Sequence, residues 1–165
     1  MIDARFTNVL TKIYRKLEKK AVNWVITGSL GFALQGMPVR PNDIDLQTDK
    51  SGAYEIERLF ARRLTEPVKI REEKKMRSHF GVLDIDGVRV EIMGDIQKKT
   101  ETGGWGEPVE LDRFKQFVEF SGMRVPVLSL AYEYRAYLAL GRIEKALMLK
   151  EWLAREDADK ENPDK

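Results

Sequence analysis

The stretch Trp24–Leu46, WVITGSLGFALQGMPVRPNDIDL, decides how this chain folds. It opens with β-branched and aromatic residues, which predict a buried strand over residues 23–27. Gly28 and Ser29 break that run, and a short helix is predicted to follow through Leu34, with Ser29 as its N-cap. The first half of the stretch is therefore a strand that turns sharply into a helix.

The second half of the stretch returns the chain to the sheet. Two prolines predict an extended crossing, and a second strand is predicted over residues 43–47. Alternate side chains of a strand share a face, so Asp43 and Asp45 present two carboxylates on one face while Ile44 and Leu46 point into the core. Like charges held close together repel, and a divalent cation between them relieves that repulsion.

A third carboxylate, that of Glu91, is predicted to join this pair. Residues 79–93 are predicted to form a β-hairpin, because Asp86-Gly87 between two alternating runs is a strong signal for a two-residue turn. The register pairs Ile85 with Val88 and Leu83 with Val90 on the buried face, and Asp84 with Arg89 and Val82 with Glu91 on the other. Glu91 interrupts an apolar run, and a neighbouring strand would place it on the face of the aspartate pair.

The rest of the chain predicts the surroundings of this device. Helices are predicted over 3–20, over 51–64 with Ser51 as the cap, from Ser129 to Leu140, and over 143–155; further strands are predicted over 68–71, 117–120 and 123–127. A charged connection is predicted over 72–77 and a flexible glycine-rich loop over 94–108.

The fold class is α/β (α+β), a small mixed sheet of about five strands flanked by helices. We expect a core domain over 1–128, a helical hairpin over 129–155 packed on it, and a disordered tail over 156–165.

Composition limits the function classes. The 165 residues include no cysteine, which excludes disulfides and thiolate metal sites, and one histidine, which disfavours a protein-only zinc site. Any metal ligands are therefore mostly oxygens, which suits Mg²⁺ or Mn²⁺. The 29 basic and 27 acidic residues are well mixed, which disfavours a sequence-specific DNA-binding protein. The sequence shows neither a long apolar run nor a signal-peptide pattern, so we expect a cytoplasmic protein without a membrane span. We expect a monomer or homodimer.

The pieces fit one chemical device. Three converging carboxylates suit two divalent ions that clamp the attacking and leaving oxygens of an in-line displacement. A strand followed by Gly-Ser and a helix suits a phosphate, because backbone N–H groups at a helix start attract anions. The second Asp-x-Asp copy, Asp84-Ile85-Asp86, is interpreted as a turn instead.

The constellation resembles the nucleotidyltransferase superfamily that includes DNA polymerase beta. Its pattern is an apolar strand, Gly-Ser or Gly-Gly, a spacer of about a dozen residues, Asp-x-Asp or Asp-x-Glu, and a third carboxylate on a later strand. The matching segments here are ITGSL at 26–30, DIDL at 43–46 and VEIM at 90–93. The chain is most similar to the small stand-alone branch with the lincosamide and aminoglycoside nucleotidyltransferases. The strand and helices of VPVLSLAYEYRAYLALGR extend the resemblance over most of the chain.

The resemblance implies a function and its residues. Asp43 and Asp45 would bind two Mg²⁺ (or Mn²⁺) ions, Gly28 and Ser29 would hold the triphosphate of an NTP, and Glu91 would bind the catalytic metal or act as the base. The protein would move an NMP to a hydroxyl of a small-molecule, RNA or protein acceptor and release pyrophosphate. The alternative is a catalytically idle binding protein of this fold, such as a toxin-antitoxin partner.

Other residues carry weaker predictions. Arg40 precedes the aspartates and either contacts phosphate or is solvated. His79 either contacts the base or acceptor or has a structural role, and Trp105 either stacks on a ligand or anchors its loop. The predicted helix after Ser129 carries tyrosines that are interpreted as core and rim, Tyr132, Tyr134 and Tyr137.

Overall fold

The structure is a computed structural model that describes residues 2–161. Within them the helices are α1 (Ala4–Leu17), α2 (Gly28–Leu34), α3 (Lys50–Leu59), α4 (Leu130–Ala139) and α5 (Ile143–Glu161). The strands are β1 (Trp24–Thr27), β2 (Ile44–Thr48), β3 (Leu64–Glu72), β4 (Met76–Ile85), β5 (Val88–Lys98), β6 (Lys115–Phe120) and β7 (Met123–Leu128). Short 3₁₀ helices lie at Ala61–Arg63 and Leu111–Arg113.

All the strands join one mixed sheet in the order β3-β4-β5-β2-β1-β7-β6. The pairs β2–β5 and β1–β7 are parallel, and the other neighbours are antiparallel. The mixed α/β architecture is confirmed, but the predicted count of about five strands is wrong, because the sheet has seven. Both edge strands were predicted in part, over 68–71 and 117–120, and the structure extends them to the full lengths of β3 and β6. They bury few side chains, so hydrophobic periodicity does not show where they end.

The predicted hairpin register is confirmed at all four pairs. Asp86 and Gly87 both have positive φ, 52° and 84°, as the type I′ turn requires. The hairpin is longer than predicted, since β4 begins at Met76 and β5 continues to Lys98. The predicted charged connection over 72–77 therefore shrinks to the residues between β3 and β4, and the predicted loop over 94–108 begins five residues later.

Helices α1 and α3 cover one face of the sheet. Their buried side chains pack against the inward-facing residues of the central strands in one core cluster, which includes Leu10, Ile13 and Leu17 from α1, Ala53 and Ile56 from α3, and Ile26, Ile44, Leu46, Val90, Ile92, Val125 and Val127 from the strands. Burial of these residues removes apolar surface from water, which is the main driving force for this arrangement. Alternation along β2 and β5 then turns Asp45 and Glu91 to the opposite face.

Two predicted helix caps are wrong. Helix α2 starts at Gly28 itself, because the left-handed φ of that glycine, +68°, turns the chain directly from β1 into the helix. Ser29 lies inside the first turn of α2. Helix α3 starts one residue before Ser51 and is capped by Asp49, whose Oδ1 accepts a hydrogen bond from the Gly52 amide at 2.7 Å.

The chain divides into two compact units, one ending at Leu128 and the other starting at Ser129. In the second unit, Ser129 caps α4 as predicted, accepting a hydrogen bond from the Tyr132 amide at 3.1 Å. Helix α5 runs to Glu161, so the prediction of disorder from residue 156 is wrong for residues 156–161. Four of these six residues are Glu, Ala or Lys, which favour a solvated helix without needing burial and outweigh the two aspartates. The remainder of the predicted tail lies outside the described residues. No helix within residues 2–161 combines the length and apolar character needed to cross a membrane.

Candidate active site

The parallel pairing of β2 with β5 builds the site. Its register sets Asp45 directly opposite Glu91, with Ile44 opposite Val90 and Leu46 opposite Ile92. The apolar partners face the core that α1 and α3 cover. The two carboxylates therefore extend from adjacent strands on the other face of the sheet.

Asp43 completes an acidic cluster with these two residues. It lies immediately before β2, and one carboxylate oxygen from each of Asp43, Asp45 and Glu91 falls within 4.8 Å of the others. All three side chains are half-buried. Within residues 2–161 this is the one group of three or more acidic or imidazole side chains so placed. The predicted convergence is confirmed, and such an all-oxygen set suits a hard divalent cation.

Gly28 lies against the carboxylate of Asp45. A Cβ atom built on Gly28 would stand 2.2 Å from Asp45 Oδ2, and the left-handed φ of Gly28 also disfavours a side chain. The two ends of the stretch from Trp24 to Leu46 therefore meet, as the sequence predicts. The close approach requires glycine at the start of α2.

Ser29 connects the start of α2 to the segment before β2. Its Oγ accepts a hydrogen bond from the Asn42 amide at 3.3 Å. This contact holds the residue before Asp43 beside the Gly-Ser turn. Arg40, the third predicted phosphate contact, is exposed and has no ion pair with any residue from 2 to 161, so its role stays a prediction.

Glu91 points away from the core. Its side chain keeps 24% of its exposure, and Arg89 Nε donates a hydrogen bond to Glu91 Oε1 at 3.1 Å. The sequence pattern paired Arg89 with Asp84 and did not predict this contact. Asp84 Oδ1 instead accepts a hydrogen bond from the Gly87 amide at 2.9 Å. The available signal was spacing, because residues two apart on a strand share a face.

His79 and Trp105 lie in contacts separate from the acidic cluster. His79 Nδ1 is 3.1 Å from the hydroxyl of Tyr54 on α3. Burial lowers the pKa of His79, nearby Lys50 lowers it further, and Asp95 partly opposes them. The ring of Trp105 lies under two cations, with Arg77 Cζ at 4.9 Å and Lys99 Nζ at 5.1 Å from its centroid.

The tyrosines of the predicted helix lie on α4, in the second unit. Burial raises the pKa of Tyr132 to about 12, with the neighbouring Glu133 adding to the effect. The Tyr137 ring has Lys145 Nζ 5.4 Å from its centroid. All three tyrosines are half-buried, and their interpretation as core and rim stays a prediction.

Residues 9–148 match the family model of aminoglycoside-2″-adenylyltransferase. The chain belongs to this family. A proposed nucleotidyltransferase from Thermotoga maritima is 56% identical, with 94% of this chain and 96% of that chain covered and a TM-score of 0.84. No match was found among curated proteins.

Two more distant structures share the fold. One is the lincosamide antibiotic adenylyltransferase LnuA with lincomycin bound, at 13% identity and a TM-score of 0.55, with 90% of this chain and 97% of that chain covered. The other is ANT(2″)-Ia in complex with adenylyl-2″-tobramycin, at 14% identity and a TM-score of 0.57, with 92% of this chain and 91% of that chain covered. The family match and the 56% identical protein confirm the predicted resemblance to the nucleotidyltransferases.

Proposed function

We propose that this member of the family transfers a nucleoside monophosphate from an NTP to a hydroxyl of an acceptor and releases pyrophosphate. The observation that carries the proposal is the convergence of Asp43, Asp45 and Glu91 on one face of the sheet, beside Gly28. A divalent cation among three acids at this separation would relieve the repulsion between their like charges. We infer that the site binds metal during its reaction.

The donor set fits two divalent ions. Three carboxylates supply only oxygen ligands, as Mg²⁺ and Mn²⁺ prefer, and their oxygens lie close enough to share ions. We assign Asp43 and Asp45 to both ions and Glu91 to one of them or to the role of base. Bound metal would supply charge neutralisation at the reacting phosphate.

The chain's own residues supply position and proton transfer. Gly28 and Ser29 would bind the triphosphate, and the missing Cβ at Gly28 lets its backbone lie close to the Asp45 carboxylate. Arg40, exposed on the segment before β2, would contact a phosphate from solvent. The acceptor hydroxyl oxygen forms its bond to the α-phosphorus, the bond to pyrophosphate breaks, and the hydroxyl proton passes to the Glu91 carboxylate when Glu91 acts as the base.

The proposed donor is ATP, because the family and LnuA are both named as adenylyltransferases. The acceptor is a small molecule, RNA or protein that carries a hydroxyl group. The loops and helices that would contact it vary between proteins of one fold, so kinship does not name it. We also propose a cytoplasmic location and a monomeric or homodimeric state.

Metal-dependent nucleotide binding tests the proposal without a known acceptor. Calorimetric titration with a non-hydrolysable ATP analogue should show binding with Mg²⁺ and little binding after chelation. The double variant Asp43→Asn and Asp45→Asn keeps the side-chain shape and removes two charges. It should weaken Mg²⁺-dependent binding at least about tenfold, since the charges of two half-buried ligands are lost.

The chain offers a matched control in its second Asp-x-Asp. The double variant Asp84→Asn and Asp86→Asn removes the same two charges from the hairpin turn and should leave metal-dependent binding unchanged. Equal loss in both variants, or binding that ignores Mg²⁺, would contradict the proposal. Nucleotide binding without transfer to any hydroxyl compound would favour the idle binding protein instead.

A further inference from the structure

A basic groove lies in the first unit, on the helix-covered side of the hairpin turn. It measures about 660 Å³, and its residues come from α1, from the segment 58–63 at the end of α3, and from Ile85 of β4. Its cationic members are Lys12, Arg15, Lys16, Arg58, Arg62 and Arg63. The well-mixed charges of the sequence do not show this cluster, because folding brings together cations that are more than forty residues apart.

The two walls of the groove converge on one anion. Lys12 from α1 and Arg63 from the opposite wall both form ion pairs with Asp86 at the hairpin turn. The side chains of the two walls therefore reach the same carboxylate. A ligand with its own negative charges would meet the same cations from solvent.

Most of the positive charge in the groove is not neutralised within the chain. Glu55 pairs with Arg58, and Asp86 with Lys12 and Arg63. Arg15, Lys16 and Arg62 are exposed and form no ion pair with any residue in the range 2–161. Three free cations thus extend the charge along the groove beyond Asp86.

We propose that this groove binds the phosphodiester backbone of a single strand of nucleic acid. Repeated phosphates match cations distributed along two walls, and counterion release makes such contacts favourable. The one aromatic residue that lines the groove, Phe60, is buried, so the contact is with the backbone and not with stacked bases. Lys12 and Arg63 contact one carboxylate from the two walls, and this reach suits one strand more than a duplex.

Other anionic partners fit less well. Every cation of the groove is exposed, so there is no enclosed pocket for one small anion. A membrane surface would favour apolar side chains beside the cations. The large exposed hydrophobic residues described in this unit lie elsewhere, at Tyr54, Ile70 and Phe117. The inference is independent of the proposed function, because the acidic cluster faces away from the helix-covered side.

Fluorescence anisotropy with labelled 20-mers of oligouridylate and oligothymidylate, in chelator and at several salt concentrations, tests the inference in the full-length protein. The triple variant Arg15→Gln, Lys16→Gln and Arg62→Gln should bind at least about tenfold more weakly. The slope of log affinity against log salt should flatten by about 2, since each phosphate contact on a single strand contributes about 0.7. Equal binding of both oligomers would identify the backbone, and preference for oligouridylate would add a 2′-hydroxyl contact.

A matched triple variant removes three exposed charges from the β3–β4 hairpin through Lys69→Gln, Lys74→Gln and Lys75→Gln. It should bind the oligomers as the wild type does. Asp86→Asn should bind more tightly, because it removes the competing anion. The double variant Asp43→Asn and Asp45→Asn should retain strand binding, which separates this result from any failure of the proposed function. The inference is wrong if both triple variants lose equal affinity, or if a duplex or anionic vesicles bind through these residues better than the oligomers do.

Discussion

At the scale of single residues, the environment of a glycine matters as much as its backbone angle. Gly28 and Gly87 both have left-handed φ, +68° and +84°. A Cβ on Gly28 would collide with the Asp45 carboxylate, whereas a Cβ on Gly87 would meet nothing within 4 Å. The sequence shows two turn glycines, but only the fold distinguishes the one that supports the acidic cluster.

This difference predicts separate effects of two substitutions. Gly28→Ala and Gly87→Ala should each lose roughly 1–2 kcal/mol of unfolding free energy to left-handed strain, measured by urea denaturation. Only Gly28→Ala should also weaken Mg²⁺ binding in calorimetry, because its new methyl group displaces Asp45. Retained metal affinity in Gly28→Ala would mean that the Asp45 carboxylate is free to shift.

His79 gives a pH dependence at the same scale. It is the single histidine of the chain, and burial lowers its pKa below the usual 6.5, with Lys50 adding to the effect. The unfolded chain then binds more protons between these two pKa values, so the contribution to stability is full above about pH 6.5 and is lost as the pH falls through the lowered pKa.

We therefore expect a decrease in unfolding free energy from about pH 7.5 to pH 5.5, measured by urea denaturation, that is smaller in His79→Gln. The carboxylates titrate in both proteins, so the difference between their two slopes of unfolding free energy against pH gives the contribution of the imidazole. Identical pH dependence in the two proteins would show that His79 has the same pKa in the folded and unfolded states.

At the scale of elements, the sequence located segments better than their ends. The hairpin register was predictable because Asp86-Gly87 is a local turn signal and alternation fixes which side chains share a face. The start of α3 was not predictable in this way, since Asp49 and Ser51 are both good capping residues. The structure chose Asp49, which lies directly after β2 and begins the helix as the strand ends.

The choice of cap predicts a difference between two similar variants. Asp49→Ala should lose about 1 kcal/mol of unfolding free energy, because the Gly52 amide loses its acceptor. Ser51→Ala, at the cap that the sequence suggested, lies within the exposed first turn and should change stability by less than about 0.5 kcal/mol. Urea denaturation of both variants measures the contrast, and equal losses would contradict the assignment.

At the scale of the whole molecule, the main core is complete within the first unit. Every member of the core cluster lies before residue 129, and the sheet draws all its strands from the same region. We propose that residues 1–128 form an independent domain, since a domain needs its own hydrophobic core. The helices from Ser129 onward form the second unit.

A fragment of residues 1–128 should therefore unfold cooperatively on heating, with β-sheet circular dichroism. A fragment that ends at residue 122 lacks β7 and its buried residues Met123, Val125 and Val127, and it should not fold. Thermal scans of both fragments test this proposal. Failure of the longer fragment would show that the core requires residues beyond 128.

The sequence by itself determined the local features of this protein. Turn chemistry placed Asp86-Gly87, and strand alternation turned Asp43 and Asp45 away from Ile44 and Leu46. Only the tertiary structure decided that β2 lies parallel to β5 and sets Asp45 opposite Glu91, and that α1 meets the end of α3 to form the basic groove. Turns and alternation depend on neighbouring residues, whereas strand order and helix packing depend on how distant surfaces bury one another.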